Sequence, residues 1–493
     1  MKNLNVFIVL FILILTGCSK ENSNNLNNYI PVTQGSFEVA LPIPPVSNNS
    51  LTLIAQHTVQ PIFSGHSSSV LGYQSGSILG TTMVVNSGDV LNVTLQNQLT
   101  EPSNIHWHGL ITPANMDGHP EDVVQPGGSF NYTFPISQRA GLYWYHPHPD
   151  DYTAKQAYLG LAGAIIVRDN EEKALNLPSG EFEVPLIIQD KRINSDYSLD
   201  YTPTMNDVMT GYMGSYITVN GVYAPSHKVS SRNYRFRILN GSNGRIYNLA
   251  LSNGASFRVI GSDGGLLSNA QTVTSLLLGP GERADLLVDF STYSVGSEIF
   301  LENQLFSAGD AQGKQRFNIV KFIVNKKETD LFSLPLSLSS ITPINENSAV
   351  KIRTFDISNP DMASMGGMNM GGMNMGGMSM KGMHRINNKS YDKSRIDETI
   401  QGGSTEIWVF DNSKGAEPHP MHIHGVQFQI LDRTGGRNSL IASEKGWKDT
   451  VLLLPGEKVR VIMTFASYKG KYMIHCHNLE HEDDGMMLQF EII

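Results

Sequence analysis

The sequence predicts an all-β protein built from three consecutive sandwich domains. Short alternating runs, such as Thr81–Val85 and Val90–Leu95, are separated by clusters of Gly, Pro, Ser and Asn, and no long helical pattern interrupts them. Charged residues make up only 16 % of the 493 residues, while β-branched and turn residues are abundant, which favours strands. A chain of this length exceeds what one hydrophobic core usually serves, and its patterning divides it into three regions.

The first residues form a targeting segment. Lys2 precedes the apolar run Val6–Leu15, which is too short to span a bilayer, and Leu15–Cys18 resembles the bacterial lipobox. We therefore expect residues 1–18 to be a lipoprotein signal peptide with a lipidated Cys18. An ordinary signal peptide with an incidental cysteine is the alternative. Either way we expect an exported protein, anchored in the first case to a membrane and facing the periplasm or the cell exterior.

Charge and cysteine content limit the function further. The net charge of −9 provides no basic stripe that could displace counterions from phosphates, so we expect no nucleic-acid partner. The chain has two cysteines, and lipidation of Cys18 would leave Cys476 unpaired in an oxidising compartment. Metal ligation is the usual protection for such a thiol.

Domain boundaries follow from composition. Residues 19–35 read as a polar, Asn-rich tether, residues 36–175 as the first domain, and residues 176–330 as the second. The second domain contains only His227, to which we assign no metal, so we expect it to hold the outer domains at a fixed distance. Residues 331–493 comprise a connector and the third domain.

A methionine-rich insert at residues 361–383 interrupts the third domain. Nine of the twenty methionines fall between Met362 and Met383, in Gly-Gly-Met-Asn-Met repeats that have neither helical nor strand periodicity. Such a segment cannot pack a core, but thioethers are soft ligands suited to Cu(I). The alternative is a flexible, oxidisable loop without a specific role.

Three H-x-H pairs precede the last part of the chain. They are His106 with His108, His146 with His148, and His422 with His424, the last pair preceded by His419. On an extended backbone both imidazoles of such a pair emerge on one face, about 6.6 to 6.8 Å apart. That span suits two neighbouring metals or one shared cluster.

The final histidine cluster contains Cys476. This thiol lies between His475 and His477, and His481 and Met486 follow. If the segment is a strand, alternation sends Cys476 to one face and both flanking histidines to the other, so one cysteine could connect two metal centres. A zinc site or a buried free cysteine are the alternatives.

The ten histidines of these clusters can be partitioned. A blue-copper site needs two His, one Cys and a weak axial Met, which His419, Cys476, His481 and Met486 would supply. Eight histidines then remain, and a cluster that they share must lie between the first and last domains. Distributed as two, three and three, they would hold three further coppers: His106, His108, His146, His148, His422, His424, His475 and His477.

The runs HWHG, HPH, HPMHIHG and HCHNLEHEDDGMM resemble the four copper signatures of the multicopper oxidases. Ile217–Gly221 and Leu278–Asp285 in the second domain are also similar to this family, so the resemblance covers nearly the whole mature chain. It implies three cupredoxin-like Greek-key domains and four copper ions: one type 1, one type 2 and two type 3. By position His106 and His422 would bind the type 2 copper, and the other six histidines the type 3 pair.

The resemblance also implies an enzyme. A donor would lose one electron at a time at the type 1 copper, electrons would pass through Cys476 to His475 and His477, and O2 would be reduced to water at the trinuclear cluster. Asp117 and Glu482 occupy positions where the family places proton-carrying acids. The alternatives are a turn residue for Asp117 and a partner that orients a ligand histidine for Glu482.

The expected donor is Cu(I), because the methionine-rich insert resembles that of bacterial cuprous oxidases involved in copper tolerance; Fe(II) is a further candidate. Those enzymes carry an Asp and a Met before the histidine that corresponds to His419. In the same stretch this chain has Glu417. Glu417 with Asp361, Met362 and Met365 are therefore candidate ligands for substrate copper. Laccase-like phenol oxidation, a non-catalytic copper-sequestering lipoprotein and a copper nitrite reductase are alternatives. We expect a monomer.

The resemblance also bears on the axial ligand of the blue-copper site. Met486 occupies the family's axial position, and an axial thioether usually lowers the potential, which suits an easily oxidised donor. Met487 is its rival, but its side chain should point away if the strand continues.

Overall fold

A computed structural model describes residues 29–309, 311–358 and 381–493. The predictions for lipidated Cys18, for residues 19–28 of the tether and for most of the methionine-rich insert lie outside these described residues. Asp361, Met362 and Met365 are among them. Strands dominate the described chain, as predicted, and its helices are all too short or too polar to cross a membrane.

The first domain is a sandwich of a four-stranded and a five-stranded sheet, in the orders β4-β3-β6-β8 and β2-β5-β10-β9-β7. β3 pairs in parallel with β6, and β5 with β10, so the chain crosses between the sheets. Its elements follow β1 (Val39–Ala40), which pairs with the second domain, and are β2 (Val46–Ser47), β3 (Ser50–Phe63), β4 (His66–Gly72), β5 (Thr82–Asn86), β6 (Val90–Asn97), β7 (His106–His108), β8 (Ser129–Pro135), β9 (Gly141–His146), α1 (Thr153–Leu159), β10 (Gly163–Arg168) and α2 (Asn170–Ala174).

The second domain packs a six-stranded sheet, β1-β15-β23-β22-β17-β20, on an eight-stranded sheet. The larger sheet runs β14-β13-β11-β16-β21-β18-β19, with β12 paired to β11. The elements are β11 (Glu183–Ile193), β12 (Leu199–Asp200), α3 (Met205–Thr210), β13 (Tyr216–Val219), β14 (Val222–Tyr223), β15 (Pro225–Ser230), β16 (Asn233–Asn240), β17 (Tyr247–Leu251), β18 (Phe257–Ser262), β19 (Gly265–Val273), β20 (Ser275–Leu278), β21 (Arg283–Asp289), β22 (Glu298–Asn303) and β23 (Phe317–Lys326).

The third domain contains two five-stranded sheets, β24-β26-β31-β28-β29 and β25-β33-β32-β27-β30. The elements are β24 (Lys351–Asp356), β25 (Glu398–Ile400), β26 (Thr405–Asp411), β27 (His419–Ile423), β28 (Phe428–Thr434), β29 (Trp447–Lys448), β30 (Thr450–Leu453), β31 (Lys458–Thr464), β32 (Gly470–Cys476), α4 (Leu479–Asp483) and β33 (Met487–Ile492). Short 3-10 turns lie at Ala114–Met116, Gly180–Phe182, Glu346–Ser348 and Ala442–Lys445.

Strand alternation gives each sandwich its core. In β6, Leu91, Val93 and Leu95 are buried and alternate with polar or exposed neighbours, as a half-buried strand requires. A separate apolar cluster that includes Trp144 and Leu239 joins the first domain to the second. A further cluster with Ile246 and Leu452 joins the second domain to the third. The three sandwiches are therefore packed directly against one another.

The residues before the first sandwich belong with the second domain. Val32 is only 6 % exposed and joins the second domain's core, and its main-chain N–H donates to Gln315. β1 then pairs in parallel with β15. The end of the predicted tether and the first residues assigned to domain one thus run along domain two, because Val32 and Leu41 have apolar side chains to bury there.

Candidate metal centre

Two strand pairings set the direction of the predicted ligands. In the first domain His106 of β7 lies opposite His146 of β9. In the third domain His422 of β27 lies opposite His475 of β32, and Met421 lies opposite Cys476. Residues directly opposite in a sheet share a face, so His422 and His475 point one way while Cys476 points the other.

The structure brings the eight histidines of the predicted shared cluster together between domains one and three. We call this set the eight-histidine cluster. Ring centroids within its four H-x-H pairs are 5.8, 6.2, 5.1 and 5.6 Å apart in chain order. All members are at most 1 % exposed: His106, His108, His146, His148, His422, His424, His475 and His477.

His106 and His422 face each other through their Nε2 atoms, which are 3.4 Å apart. The Nδ1 of His106 is 2.8 Å from the carbonyl oxygen of Asp117, and that of His422 is 2.8 Å from the carbonyl of Asp449. A carbonyl only accepts, so each Nδ1 carries the proton and each Nε2 presents a lone pair. Burial lowers the pKa of both imidazoles well below the usual value, which keeps them neutral.

His148, His424 and His475 form a second group. The Nε2 of His475 lies 3.0 Å from that of His424 and 3.3 Å from that of His148. Their Nδ1 atoms face carboxylates: His424 lies 2.7 Å from Asp117, while His475 and His148 lie 3.0 and 3.4 Å from the two oxygens of Glu482. Three Nε2 atoms therefore converge on one point.

The remaining histidines are His108, His146 and His477. The Nε2 of His477 is 3.1 Å from the Nδ1 of His108, whose Nε2 lies 3.0 Å from Asp449. His146 donates from Nδ1 toward the carbonyl of Pro147, and its Nε2 is buried without a partner among the described residues. His108 thus presents Nδ1 to the cluster, whereas its neighbours present Nε2.

This arrangement fits bound copper. Neutral nitrogens that face each other at hydrogen-bond distance with lone pairs cannot hydrogen-bond, so they are stable together only around a cation. Imidazole is a ligand that copper accepts readily. Copper in such a cluster would pass the electrons of the donor to O2. The protein orients the rings through contacts at their other nitrogens, except for His477, whose Nδ1 has no partner in the described part of the chain.

The Cys476 site lies on the opposite face of β32. The Sγ of Cys476 is 3.5 Å from Nδ1 of His419 and 3.6 Å from Nδ1 of His481, and the two nitrogens are 3.2 Å apart. All three side chains are buried. Burial raises the pKa of the thiol, so metal ligation is what would stabilise the thiolate here. A Cys with two His in this arrangement suits copper.

Met486 packs in the same apolar cluster as Cys476, and its carbonyl accepts from the Cys476 N–H at 3.1 Å. Met487 lies opposite His475 in the β32–β33 pairing and so shares the face of that histidine. The strand does not run on from Cys476 to Met487, because α4 separates β32 from β33. Met487 nevertheless points away from Cys476, which leaves Met486 as the candidate axial residue.

Asp117 ends the Ala114–Met116 turn and is fully buried there. Thr112 donates to one carboxylate oxygen at 3.0 Å, and the other faces His424. Burial raises the pKa of Asp117 to about 7, although the Thr112 hydrogen bond opposes this shift. A carboxyl that exchanges protons near neutral pH beside the cluster is suited to proton delivery.

Glu482 has the opposite electrostatics. Burial would raise its pKa, but His148 and His475 outweigh burial and hold it at about 2. Its position between the Nδ1 atoms of two histidines from different domains supports the orienting role.

Sequence reasoning missed Asp449 and Arg283. Asp449 contacts His108 through its side chain and His422 through its carbonyl. Arg283, within the Leu278–Asp285 run of domain two, donates to Asp449 at 2.7 Å and to the Leu142 carbonyl of domain one at 3.0 Å. One arginine thus joins all three domains. The family-like run around Arg283 was the only sequence signal for it.

Glu417 is half-buried two residues before His419, and its carbonyl accepts from Asn412 at 2.8 Å. Its candidate partners Asp361, Met362 and Met365 fall outside the described residues, so its substrate role stays a prediction.

The fold and the two sites together define a class of protein, the three-domain copper oxidases. Three family models described as multicopper oxidase match residues 56–172, 183–304 and 355–493. A laccase of Bacillus subtilis (strain 168) is 37 % identical over 424 residues, covering 79 % of each chain. The crystal structure of the multicopper oxidase McoA from Aquifex aeolicus matches with TM-score 0.81 and 34 % identity, covering 94 % of this chain and 100 % of that one. A structure titled a metallo-oxidase, from Campylobacter jejuni, matches with TM-score 0.79 and 27 % identity over 94 % of this chain and 99 % of its own.

The chain belongs to the multicopper oxidase family. The predicted family, fold class and enzymatic nature are confirmed. Enzymes of this family bind copper and use O2 with a reduced substrate, such as a metal ion or a phenol.

Proposed function

We propose that this enzyme oxidises Cu(I) and serves copper detoxification. The proposal rests on the position at which the methionine-rich segment ends. Its last residue, Met383, is followed by His384, whose ring stacks on the Cys476-site ligand His481 with centroids 3.8 Å apart. A segment rich in Cu(I)-type ligands is therefore attached beside the centre that would take electrons from the donor.

A cavity of about 290 Å³ next to the Cys476 site supports a cationic donor. Its lining includes Asp151, Glu480, Asp483 and Asp484 together with Lys155 and Lys381, so the cavity offers carboxylates to a cation beside two lysines. The metallo-oxidase title of the Campylobacter jejuni relative agrees with a metal ion as donor.

In this proposal the protein holds four copper ions. The Cys476 site binds the type 1 copper, His106 with His422 binds the type 2 copper, and two sets of three histidines bind the type 3 pair. The protein's contribution is to orient His106, His146 and His422 by carbonyls and His108, His148, His424 and His475 by carboxylates, and to keep Asp117 positioned beside His424. Cys476 joins the two sites, since His475 and His477 flank it in sequence and belong to the eight-histidine cluster.

A laccase-like oxidation of phenols is the second candidate. Tyr201, Pro203 and Val208 line the same cavity and offer it an apolar wall suited to an aromatic ring. The Bacillus subtilis relative carries the name laccase. The sequestering alternative is disfavoured because the relatives are oxidases.

Oxygen uptake separates the donors. The copper-loaded enzyme is tested with Cu(I), Fe(II) and a phenol, first as wild type and then with the methionines between 362 and 380 changed to serine. A control changes Gly366, Gly367, Gly371 and Gly372 to serine and keeps every methionine. We expect the methionine variant alone to lower the ratio of Cu(I) to phenol turnover. The proposal is contradicted if the wild type does not oxidise Cu(I). It is also contradicted if the ratio of Cu(I) to phenol turnover is the same in the wild type and the methionine variant.

We further propose an exported, monomeric lipoprotein, anchored through Cys18 and facing the periplasm or cell exterior. Cys18→Ser should move the protein from the membrane fraction to the soluble exported fraction. Retention of that variant in the membrane fraction contradicts the anchor. Sedimentation of the wild type in detergent should give the mass of one chain.

A further inference from the structure

His384 is a buried histidine that belongs to neither predicted set of ligands. Its side chain is 0 % exposed, and its ring lies nearly parallel to that of His481, with an interplanar angle of 16°. The ring of His419 is farther away, at 6.3 Å between centroids. His384 is thus placed against a ligand of the Cys476 site, directly after the last methionine of the methionine-rich segment.

Asp484 fixes the orientation of the His384 ring. One carboxylate oxygen of Asp484 accepts the His384 main-chain N–H at 2.6 Å and lies 3.1 Å from the ring Nδ1. Because a carboxylate accepts, Nδ1 carries the proton and Nε2 presents a lone pair. That Nε2 is buried and has no hydrogen-bond partner in the described part of the chain.

This pattern is that of a metal ligand rather than of a packing residue. Histidines that bind metals almost always donate their other ring N–H to a carboxylate or carbonyl, as His384 does to Asp484. A purely stacked ring could be Phe or Tyr. A buried acceptor without a partner is unfavourable, and a bound cation would remove that unfavourable contribution.

Asp484 also connects His384 to the acidic cavity. Asp484 is 5 % exposed and lines that cavity, and its second carboxylate oxygen is buried without a partner in the described ranges. The same holds for one oxygen of Asp483. Lys381 lines the cavity as well, and its ammonium pairs with Asp150 and Asp151 at 3.0 and 2.7 Å. Lys381 thus pairs with Asp150 and Asp151, whereas Asp484 contacts His384.

We propose that His384, positioned by Asp484, binds the substrate copper ion beside the Cys476 site. The inference rests on the proposed function, since it assigns a ligand to that substrate. Bound Cu(I) loses one electron and becomes Cu(II). The electron would pass through the stacked rings of His384 and His481 to the type 1 copper that His419, Cys476 and His481 would hold, and O2 would be the final acceptor.

The experiment uses Ag(I), which has the charge of Cu(I) but is not oxidised by the enzyme. The copper-loaded enzyme is dialysed against Ag(I) with a competing chelator, and the bound silver is counted. His384→Phe keeps a flat ring for the stack and removes the nitrogen. We expect the variant to retain one Ag(I) fewer per chain. We also expect its kcat/KM for Cu(I), relative to that for a phenol, to fall about tenfold or more.

Two further variants make the outcome decisive. Asp484→Asn should lower Ag(I) retention in the same direction, because it removes the carboxylate that orients the ring. His66→Phe is the matched control, since His66 is an exposed histidine stacked on Tyr197 with centroids 3.7 Å apart. It should retain as much Ag(I) as the wild type.

Ag(I) retention and Cu(I) selectivity that are unchanged in both His384→Phe and Asp484→Asn would overturn the proposal. An equal loss in His66→Phe would do the same. If Ag(I) retention depends on His384 but the wild type consumes no O2 with Cu(I), the binding site stands and the proposed function fails.

Discussion

The Cys476 site and the eight-histidine cluster use the same imidazole chemistry but differ in how many domains build them. Domain three alone supplies His419, Cys476 and His481, and domain two adds the Met209 carbonyl, 3.1 Å from His481. The eight-histidine cluster takes four ligands from domain one and four from domain three. The first site thus depends mainly on the folding of one domain, and the second on the packing of several.

Three acidic residues connect domains one and three at the eight-histidine cluster. Each contacts one histidine of domain one and one of domain three: Asp117 reaches His106 and His424, Asp449 reaches His108 and His422, and Glu482 reaches His148 and His475. Such contacts orient metal ligands and raise their basicity. Removing one should therefore damage the eight-histidine cluster and spare the Cys476 site.

The largest effect is expected for Asp117→Asn. Loss of a positioned proton donor should slow oxygen uptake by about 10²- to 10⁴-fold, while the blue absorption of the Cys476 site persists. Stopped-flow oxygen kinetics and the visible spectrum measure the two. Asp122→Asn, an exposed acid on the same loop, is the control. Undiminished turnover in Asp117→Asn would exclude proton delivery by this residue.

Asp449→Asn should act on copper binding. The amide cannot replace the carboxylate that faces His108 and Arg283, so copper affinity of the eight-histidine cluster should fall about 10- to 100-fold. Copper retained after chelator dialysis reports this loss. Asp432→Asn, which breaks a surface pair with Arg460, should lose none. Loss of blue colour in Asp449→Asn would show that the two sites are not separable in this way.

Met486→Leu should change the Cys476 site and spare the eight-histidine cluster, the reverse of the two preceding variants. Removing an axial thioether should raise the reduction potential of the type 1 copper modestly and leave the copper content of the eight-histidine cluster intact. A redox titration followed by the blue absorption provides the measurement. Met487→Leu is the matched control. An equal shift in both variants would contradict the assignment of Met486.

The sequence predicted the parts of both sites that depend on strand alternation. Trp107 and Cys476 point away from their flanking histidines because β7 and β32 are extended. His481 was also predicted as a ligand, but the helix α4 that carries it was not, because a five-residue helix leaves too weak a pattern to detect. Asp449, Arg283 and His384 lie far from their partners in sequence, so only tertiary packing could reveal them. The family resemblance, not periodicity, supplied the cupredoxin topology.

A substitution at the boundary between domains one and two should change the stability of the protein without affecting either copper site. Lys191 is buried there, and its ammonium donates to the Tyr158 carbonyl. Burial lowers its pKa to about 7, although Asp190 opposes the shift. The unfolded chain then binds more protons between about pH 7 and 10.5, so stability rises with pH across that window. Lys191→Met should reduce the gain in the free energy of unfolding between pH 7 and pH 10 by roughly a few kcal/mol. Thermal unfolding at the two pH values measures this gain. If the free energy of unfolding changes equally with pH in the wild type and in Lys191→Met, the lowered pKa of Lys191 is contradicted.

The central claim is that Cys476 separates and connects two copper sites. Copper content of purified, copper-loaded Cys476→Ser tests it most directly. We predict that the variant binds three coppers where the wild type binds four, has no blue absorption, and consumes no O2 with any donor. A variant that keeps the fourth copper and its blue colour, or one that loses all copper while remaining folded, would contradict the account.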